Sequence, residues 1–165
     1  MRFAPAVIAV CLLASGCDDT PEHRVEGLGT VTNVVDGDTI DVAIGGRDER
    51  IRLIGIDTPE TKRPNTPVEC YGAEASSFTS ALLPVGATVR IERDIVGRDD
   101  YGRLLGYVHL VDPDGTETFV NLEIVAQGFA QPFTVEPNST FSDAFAAAAR
   151  DAERAERGLW AACSS

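Results

Sequence analysis

Apolar and polar residues alternate in the first half of the chain in a pattern that predicts β-strands. Segments 29–35, 39–44 and 50–56 are rich in β-branched residues, and the turn signals Asp36-Gly37 and Gly45-Gly46 separate them. Three strands joined in this way form an antiparallel meander. Two further strands are predicted at 87–94 and 103–111, and a Pro-Asp-Gly turn follows the second of them.

Helical spacing of apolar residues appears three times in the rest of the chain. It predicts helices over 71–83, 120–127 and 139–157, the last of them capped by Ser139-Thr140. The segment 57–69 contains three prolines and is predicted to be a loop. We therefore expect a mainly β protein with helices (α+β): an OB-fold with a five-stranded barrel and about three helices.

The N-terminus has the features of a targeting segment. After Met1-Arg2, residues 3–14 are apolar except for one proline, which is the length of a secretory signal core and too short to span a bilayer. The run ends in Leu-Ala-Ser-Gly-Cys17, which resembles a bacterial lipobox. We expect a signal peptide at 1–16, a tether at 17–27 and a folded domain at 28–163. A soluble secreted protein cut nearby is the alternative; both place the mature protein outside the cytoplasm.

Four cysteines are present, and their positions fit this interpretation. Cys11 would be lost with the signal peptide, and Cys17 would carry the lipid anchor to an envelope membrane. Cys70 and Cys163 remain as one pair, which predicts a disulfide in an oxidising compartment. The alternative is two free thiols that never meet.

Charge and length restrict the function. With 165 residues the chain suits one domain, and its net charge of −12 argues at first against binding of nucleic acid. The acidity is uneven, however, because residues 47–103 hold nine basic and ten acidic residues. The total charge therefore does not exclude a phosphate-binding site in that region.

Two pairs of carboxylates follow predicted strands. Asp36-Gly37-Asp38-Thr39 lies at the first hairpin, and Asp57-Thr58-Pro59-Glu60 follows the third strand. Such oxygen-only sets suit hard cations such as Ca²⁺. A plain turn is the alternative for the first motif alone, and the spacing excludes an EF-hand.

Several short motifs occur in a fixed order, and the ordered set resembles the staphylococcal nuclease (thermonuclease) family over about residues 28–160. The motifs are Asp36-Gly-Asp-Thr39, Arg52-Leu-Ile-Gly-Ile-Asp-Thr-Pro-Glu60, Tyr71-Gly-Ala-Glu-Ala75, Asp100-Tyr-Gly-Arg-Leu104, Gln127-Gly-Phe-Ala130 and Gly158-Leu-Trp160. Each motif is weak alone, and the order and spacing make the set specific.

The resemblance implies a role for individual residues. Asp38 and Asp57 match the carboxylates that bind Ca²⁺, the Thr58 carbonyl matches a third ligand, and Asp36 matches an acid that acts through water. Arg52 and Arg103 match the catalytic arginines, and Glu60 matches the carboxylate that activates water. Tyr101 matches a tyrosine that bonds a terminal phosphate.

The same resemblance shows departures from the family pattern. Asp100 stands where family members often have a lysine. After Gly128 the family usually has tyrosines that stack on the base; here Phe133 is expected to stack instead, and Val135 stands near the second. These changes affect nucleotide affinity and leave the arginines and carboxylates in place.

These residues predict the chemistry of phosphodiester hydrolysis. The permanently charged fork of arginine fits phosphate oxygens, and a metal held by carboxylates keeps positions open for water. We expect a calcium-dependent extracytoplasmic nuclease that acts on DNA or RNA as a monomer. Two alternatives remain: a non-catalytic OB-type module that binds nucleic acid or protein, and a calcium-stabilised envelope lipoprotein.

Overall fold

The computed structural model describes residues 25–61 and 67–163, apart from the side chains of residues 25 and 26. The described chain forms eight strands and four helices. The strands are β1 (Val25–Asp36), β2 (Thr39–Ile44), β3 (Arg47–Leu53), β4 (Gly55–Asp57), β5 (Thr88–Glu92), β6 (Leu104–Val111), β7 (Glu117–Phe119) and β8 (Gln131–Phe133). The helices are α1 (Gly72–Leu82), α2 (Val120–Ala126), α3 (Ser142–Arg154) and α4 (Leu159–Ala162).

Five strands close into the barrel that the hydrophobic pattern predicts. The sheet order is β3-β2-β1-β5-β6-β7, and a parallel pairing of β3 with β6 closes the ring. The other pairings within the ring are antiparallel, so the barrel is mixed. The α+β class and the OB-type barrel are confirmed, with four helices where about three were predicted; the additional helix, α4, is a single turn.

Alternating burial is seen most clearly along β3, where apolar side chains fill the barrel and polar side chains face outward. Ile51 and Leu53 of β3 are fully buried, and Arg52 between them projects from the opposite face. Ile40 and Val42 of β2 alternate in the same way. The phase of the apolar residues thus determines which face of the barrel carries Arg52.

The predicted third strand is interrupted, which corrects the continuous strand expected over 50–56. β3 ends at Leu53, and Gly55 adopts a φ of +81°, a conformation that glycine enters without steric cost. A Cβ at Gly55 would also lie 2.2 Å from the ring of Phe145. After this bend β4 leaves the barrel and pairs with β8, a strand that the sequence pattern did not reveal.

The helices pack on the barrel with their apolar residues buried. Val120 and Ile124 of α2 and Phe145 of α3 are fully buried in the same core as the strands. The predicted Ser139-Thr140 cap is wrong, because α3 begins at Ser142 and no side chain caps it. Of the helices in the described chain, none has the length and apolar character needed to cross a bilayer.

A disulfide joins the start of α1 to the end of the domain. Cys70 and Cys163 are bonded, with their Cα atoms 5.9 Å apart and a sequence separation of 93. The bond links the loop that precedes α1 to the residue that follows α4.

Candidate active site

The two carboxylate motifs lie side by side because one carboxylate binds the backbone of the other motif. Asp38 Oδ2 accepts hydrogen bonds from the backbone N–H and the hydroxyl of Thr58, both at 3.1 Å. Gly37 makes this approach possible, since a Cβ there would lie 2.7 Å from the Thr58 hydroxyl. The β1–β2 turn and the exit of β4 therefore form one wall of the site.

Arg52 bridges the two carboxylates that were predicted to bind metal. Its Nη1 lies 3.0 Å from Asp38 Oδ2, and its Nη2 lies 2.8 Å from Asp57 Oδ1. Nη1 also donates to the carbonyl groups of Leu53 and Ile56, which flank the bend after β3. The side chain of Arg52 is only 15 % exposed, so its charge is held in a defined position at the bottom of the site.

Arg103 enters the site from the loop before β6, and Asp99 holds it there. Asp99 Oδ2 accepts from Arg103 Nε at 2.7 Å, and Oδ1 accepts from the backbone N–H groups of Tyr101 and Arg103. Burial alone would raise the pKa of Asp99, but the hydrogen bonds from Arg103 outweigh it and lower the pKa. The Tyr101 ring is highly exposed, and its centroid lies 5.6 Å from the Arg103 guanidinium carbon.

Asp36 and Glu60 are neighbours on the acidic side of the site. Asp36 Oδ1 accepts hydrogen bonds from the Gly37 N–H and from the Thr61 hydroxyl, both at 2.9 Å. Burial raises the pKa of Asp36, and the adjacent carboxyl group of Glu60 raises it further. The turn that holds Asp36 thus also positions the segment on which Glu60 lies.

The charges around Asp57 fit a bound cation. Burial raises the pKa of Asp57, and the negative charges of Asp38, Glu69 and Glu60 raise it further, against the opposing effect of Arg52. A hard cation would relieve this excess of negative charge, and the ligands near it are oxygen atoms. Across residues 25–61 and 67–163, however, no group of three or more His, Cys, Asp or Glu side chains has the arrangement of a metal site.

One cleft of about 390 Å³ collects the predicted residues. Every predicted metal ligand and catalytic residue lines it, together with Asp36, Tyr101, Thr39 and Glu69. Phe133 lies beside this cleft in a second cavity of about 240 Å³, whose lining includes Arg52, Arg103 and Val135. Pairing of β4 with β8 places Phe133 there, because it lies opposite Gly55.

Some residues of the site have no recognisable sequence signal. Asp99 and Glu69 stand in loops without a motif of their own. Asn138 binds the backbone N–H and carbonyl of Val96 through its amide, which joins two loops beside the second cavity. Cys17 and the predicted signal peptide lie outside the described residues.

Comparison with known proteins agrees with this geometry. Residues 50–162 match the model of the family described as staphylococcal nuclease homologue. The chain is similar to the thermonucleases of Staphylococcus intermedius (42 % identity over 130 residues, 79 % of this chain and 74 % of the relative) and Staphylococcus hyicus (41 % over 130 residues, 79 % and 73 %). It is also similar to endonuclease YncB of Bacillus subtilis (35 % over 133 residues, 79 % and 60 %).

The barrel, the cleft and these matches define the class of protein as an OB-fold with an arginine- and carboxylate-lined site. The chain belongs to the staphylococcal nuclease family.

Proposed function

We propose that the protein is a calcium-dependent extracytoplasmic nuclease that hydrolyses phosphodiester bonds of DNA or RNA. The chain is a hydrolytic nuclease by its family, and the relatives that it matches are named thermonuclease and endonuclease. The observation that carries the finer proposal is the convergence of Arg52, Arg103 and the carboxylates in one cleft.

The two arginines would bind the phosphate from two sides of the cleft. Arg52 comes from the barrel wall and Arg103 from the loop before β6, so their charges converge on one space. Guanidinium groups donate to phosphate oxygens in a fixed plane, and they stabilise the charge that builds up as water attacks. In the described geometry Arg52 is bonded to Asp38 and Asp57, and substrate phosphate would compete for its N–H groups.

The carboxylates would hold Ca²⁺ and activate water. Asp38, Asp57 and the carbonyl oxygen of Thr58 are the ligands proposed, with Asp36 acting through water. Calcium, when bound, supplies positive charge next to the phosphate and binds water. Glu60 would take the proton of the attacking water, a role that a carboxylate beside a phosphate can perform.

Aromatic side chains next to the cleft would bind the nucleotide. Phe133 is half exposed, and it offers a face on which a base can stack. Tyr101 has its ring exposed beside Arg103, where its hydroxyl is free to approach a terminal phosphate.

The site of action is proposed to be outside the cytoplasm. The signal peptide at 1–16 would direct export, and the lipid-bearing Cys17 and the tether at 17–27 would attach the domain at 28–163 to an envelope membrane as a monomer. The last three residues of that tether, 25–27, already belong to β1. The disulfide between Cys70 and Cys163 supports an oxidising compartment, because such bonds are rare in the cytosol. Labelling of cells with a radioactive fatty acid tests the anchor, and an unlabelled protein would contradict it.

A cleavage assay tests the nuclease proposal. Purified protein should degrade heat-denatured DNA in Ca²⁺, and excess EGTA should stop the reaction. An Arg52→Ala, Glu60→Ala double variant should lose at least about a hundredfold in rate. Arg154→Ala, which changes an exposed arginine of α3, is the matched control and should cleave normally. If wild type cleaves no faster than the double variant, the proposal fails.

A further inference from the structure

Two hydrogen bonds connect Glu60 and Glu69. The Glu60 N–H donates to Glu69 Oε2, and the Glu69 N–H donates to the Glu60 carbonyl oxygen, both at 3.0 Å. Glu69 therefore bonds both backbone polar groups of Glu60, one through its side chain and one through its own backbone. Of these two hydrogen bonds, only the one that the Glu69 carboxylate accepts can be removed by replacing a side chain.

The residues that flank Glu60 are bonded to carboxylates of the site. Thr58 is bonded to Asp38, and the Thr61 hydroxyl is bonded to Asp36. Gly72 at the start of α1 packs against the same segment, since a Cβ there would lie 3.2 Å from the Glu60 carbonyl oxygen. Glu60 therefore sits on a short piece of backbone that is fixed at Thr58 and Thr61 and, at its own amide, by Glu69.

The position of Glu69 is restricted by the disulfide of its neighbour Cys70. It precedes Cys70, which is bonded to Cys163 after α4. Leu159 at the start of α4 is buried in the core, and its N–H donates to the Gly128 carbonyl oxygen. The connection from the core to Glu69 thus runs through α4 and the disulfide. Leu159 and Gly128 belong to the family motifs, whereas Cys70 and Cys163 lie outside them.

We propose that Glu69 is a positioning residue for Glu60 and that the Cys70–Cys163 disulfide holds Glu69 in that position. The inference rests on the proposed role of Glu60 as the group that activates water. The Glu69 carboxylate fixes the Glu60 amide, so the Glu60 side chain projects into the cleft from a defined point. Small displacements of a reacting group are enough to cost a large factor in rate.

Two substitutions at residue 69 separate position from charge. Glu69→Ala removes the acceptor, and kcat should fall about tenfold while KM for DNA changes little. Glu69→Gln keeps an oxygen that accepts from the Glu60 N–H and removes the charge; its kcat should stay within about twofold of wild type. Glu153→Ala, an exposed acid of α3, is the matched control and should leave kcat unchanged.

Substitution of Glu69 in a protein that already lacks the Glu60 carboxylate shows whether Glu69 acts through Glu60. In a Glu60→Gln protein, which is already slow, adding Glu69→Ala should cause no further loss of kcat. All of these variants are assayed at saturating Ca²⁺, because the charge of Glu69 also contributes to the negative charge around Asp57. Additive losses of kcat would mean that Glu69 acts independently of Glu60, and they would overturn the inference.

The Cys70→Ser, Cys163→Ser double variant tests the second half of the inference without touching Glu69. At a temperature where circular dichroism shows the variant folded, kcat should fall several-fold, and Glu69→Ala should then add less than it does in wild type. An unchanged kcat overturns the role of the disulfide, and wild-type kcat in Glu69→Ala overturns the role of Glu69. Absence of cleavage by wild type in Ca²⁺ is a different result, because it contradicts the proposed function itself.

Discussion

Single side chains of the site each hold more than one partner, and this redundancy fixes their direction. Arg52 contacts two carboxylates and two carbonyl groups, and Asp38 accepts hydrogen bonds from the backbone N–H and the hydroxyl of Thr58. Hydrogen bonds to charged groups contribute about 1.5–3 kcal/mol each, so the loss of one such residue affects both geometry and stability.

Asp99 offers a residue-scale prediction, because it orients Arg103 and shapes the loop before β6. Asp99→Ala should lower kcat/KM about tenfold. The Nε of Arg103 loses its acceptor in this variant, and so do the backbone N–H groups of Tyr101 and Arg103. Steady-state kinetics on denatured DNA measure the effect. The adjacent exposed Asp100 is the control, and Asp100→Ala should not lower the rate; equal losses in both variants would contradict the orienting role.

His109 offers a prediction about pH. It lies between Arg90 and Glu92 of β5 and Glu117 and Phe119 of β7. Burial lowers its pKa, and the charge of Arg90 lowers it further, although both glutamates oppose the shift. The folded protein therefore takes up this proton at a lower pH than the unfolded chain, and stability should fall as pH drops from about 6.5.

Thermal unfolding of wild type and His109→Gln between pH 7.5 and 5 tests this expectation. The Tm of wild type should fall more over this range than the Tm of the variant, because the variant has no imidazole to protonate. Carboxyl groups titrate in both proteins, so the difference between the two curves reports on His109. Parallel curves would show that His109 contributes nothing.

At the scale of elements, the bend between β3 and β4 brings the site together. β3 carries Arg52 on the barrel, whereas β4 leaves the barrel, pairs with β8 and carries Asp57. Because of the bend at Gly55, the consecutive strands β3 and β4 line two sides of the cleft. β8 brings Phe133 to the cavity beside that cleft. The pairing of β4 with β8 thus brings Asp57 and Phe133 to the side of the barrel that carries Arg52.

Gly55→Ala tests the importance of this bend. The new methyl group would meet the Phe145 ring, and the positive φ is strained for alanine, so the free energy of unfolding should fall by about 2 kcal/mol or more. Urea denaturation measures the loss. Gly45→Ala is the matched control, since Gly45 has a φ of +56° with nothing within 4 Å of an added Cβ. Equal losses in both variants would mean that crowding at Phe145 is unimportant.

At the scale of the whole molecule, we expect the disulfide to govern stability and the distribution of charge to govern affinity for nucleic acid. The disulfide closes most of the domain into a loop. The net charge of −12 coexists with a cleft that contains two arginines, so affinity for polyanions depends on local charge.

Removal of the disulfide should lower stability substantially. Loop-closure entropy for a loop of this length corresponds to about 4.7 kcal/mol, and removal of a native disulfide from a small secreted domain typically costs about 2–5 kcal/mol. Urea denaturation of Cys70→Ser, Cys163→Ser against wild type measures the difference. Reductant should destabilise wild type by a similar amount and leave the variant unchanged; an equal response of both proteins would contradict a role of this bond.

Calcium should control binding of nucleic acid as well as cleavage. In a Glu60→Gln variant, which binds without rapid cleavage, retention of single-stranded DNA should be weak in EDTA and increase with Ca²⁺, because the acidic cleft gains positive charge. Filter binding at fixed ionic strength measures this. Tight binding in EDTA would contradict the expectation.

Much of the fold and part of the site were predictable from local patterns. Alternation of apolar residues located the barrel strands, because a strand with one buried face must alternate. Spacing of short motifs marked Asp38, Asp57, Arg52 and Arg103. β7 and β8 escaped prediction because strands of three residues are too short for a period to show.

Residue type and spacing along the chain are enough to predict the barrel, to locate the family motifs and to name the side chains available for chemistry. Three contacts emerge only from the folded chain: Asp99 binds Arg103, Glu69 binds the backbone of Glu60, and β8 brings Phe133 next to the cleft. The Glu69 and Phe133 contacts depend on how separate loops and strands meet in space, and even the nearby Asp99–Arg103 contact depends on the path of its loop. Local patterns along the chain do not predict such contacts.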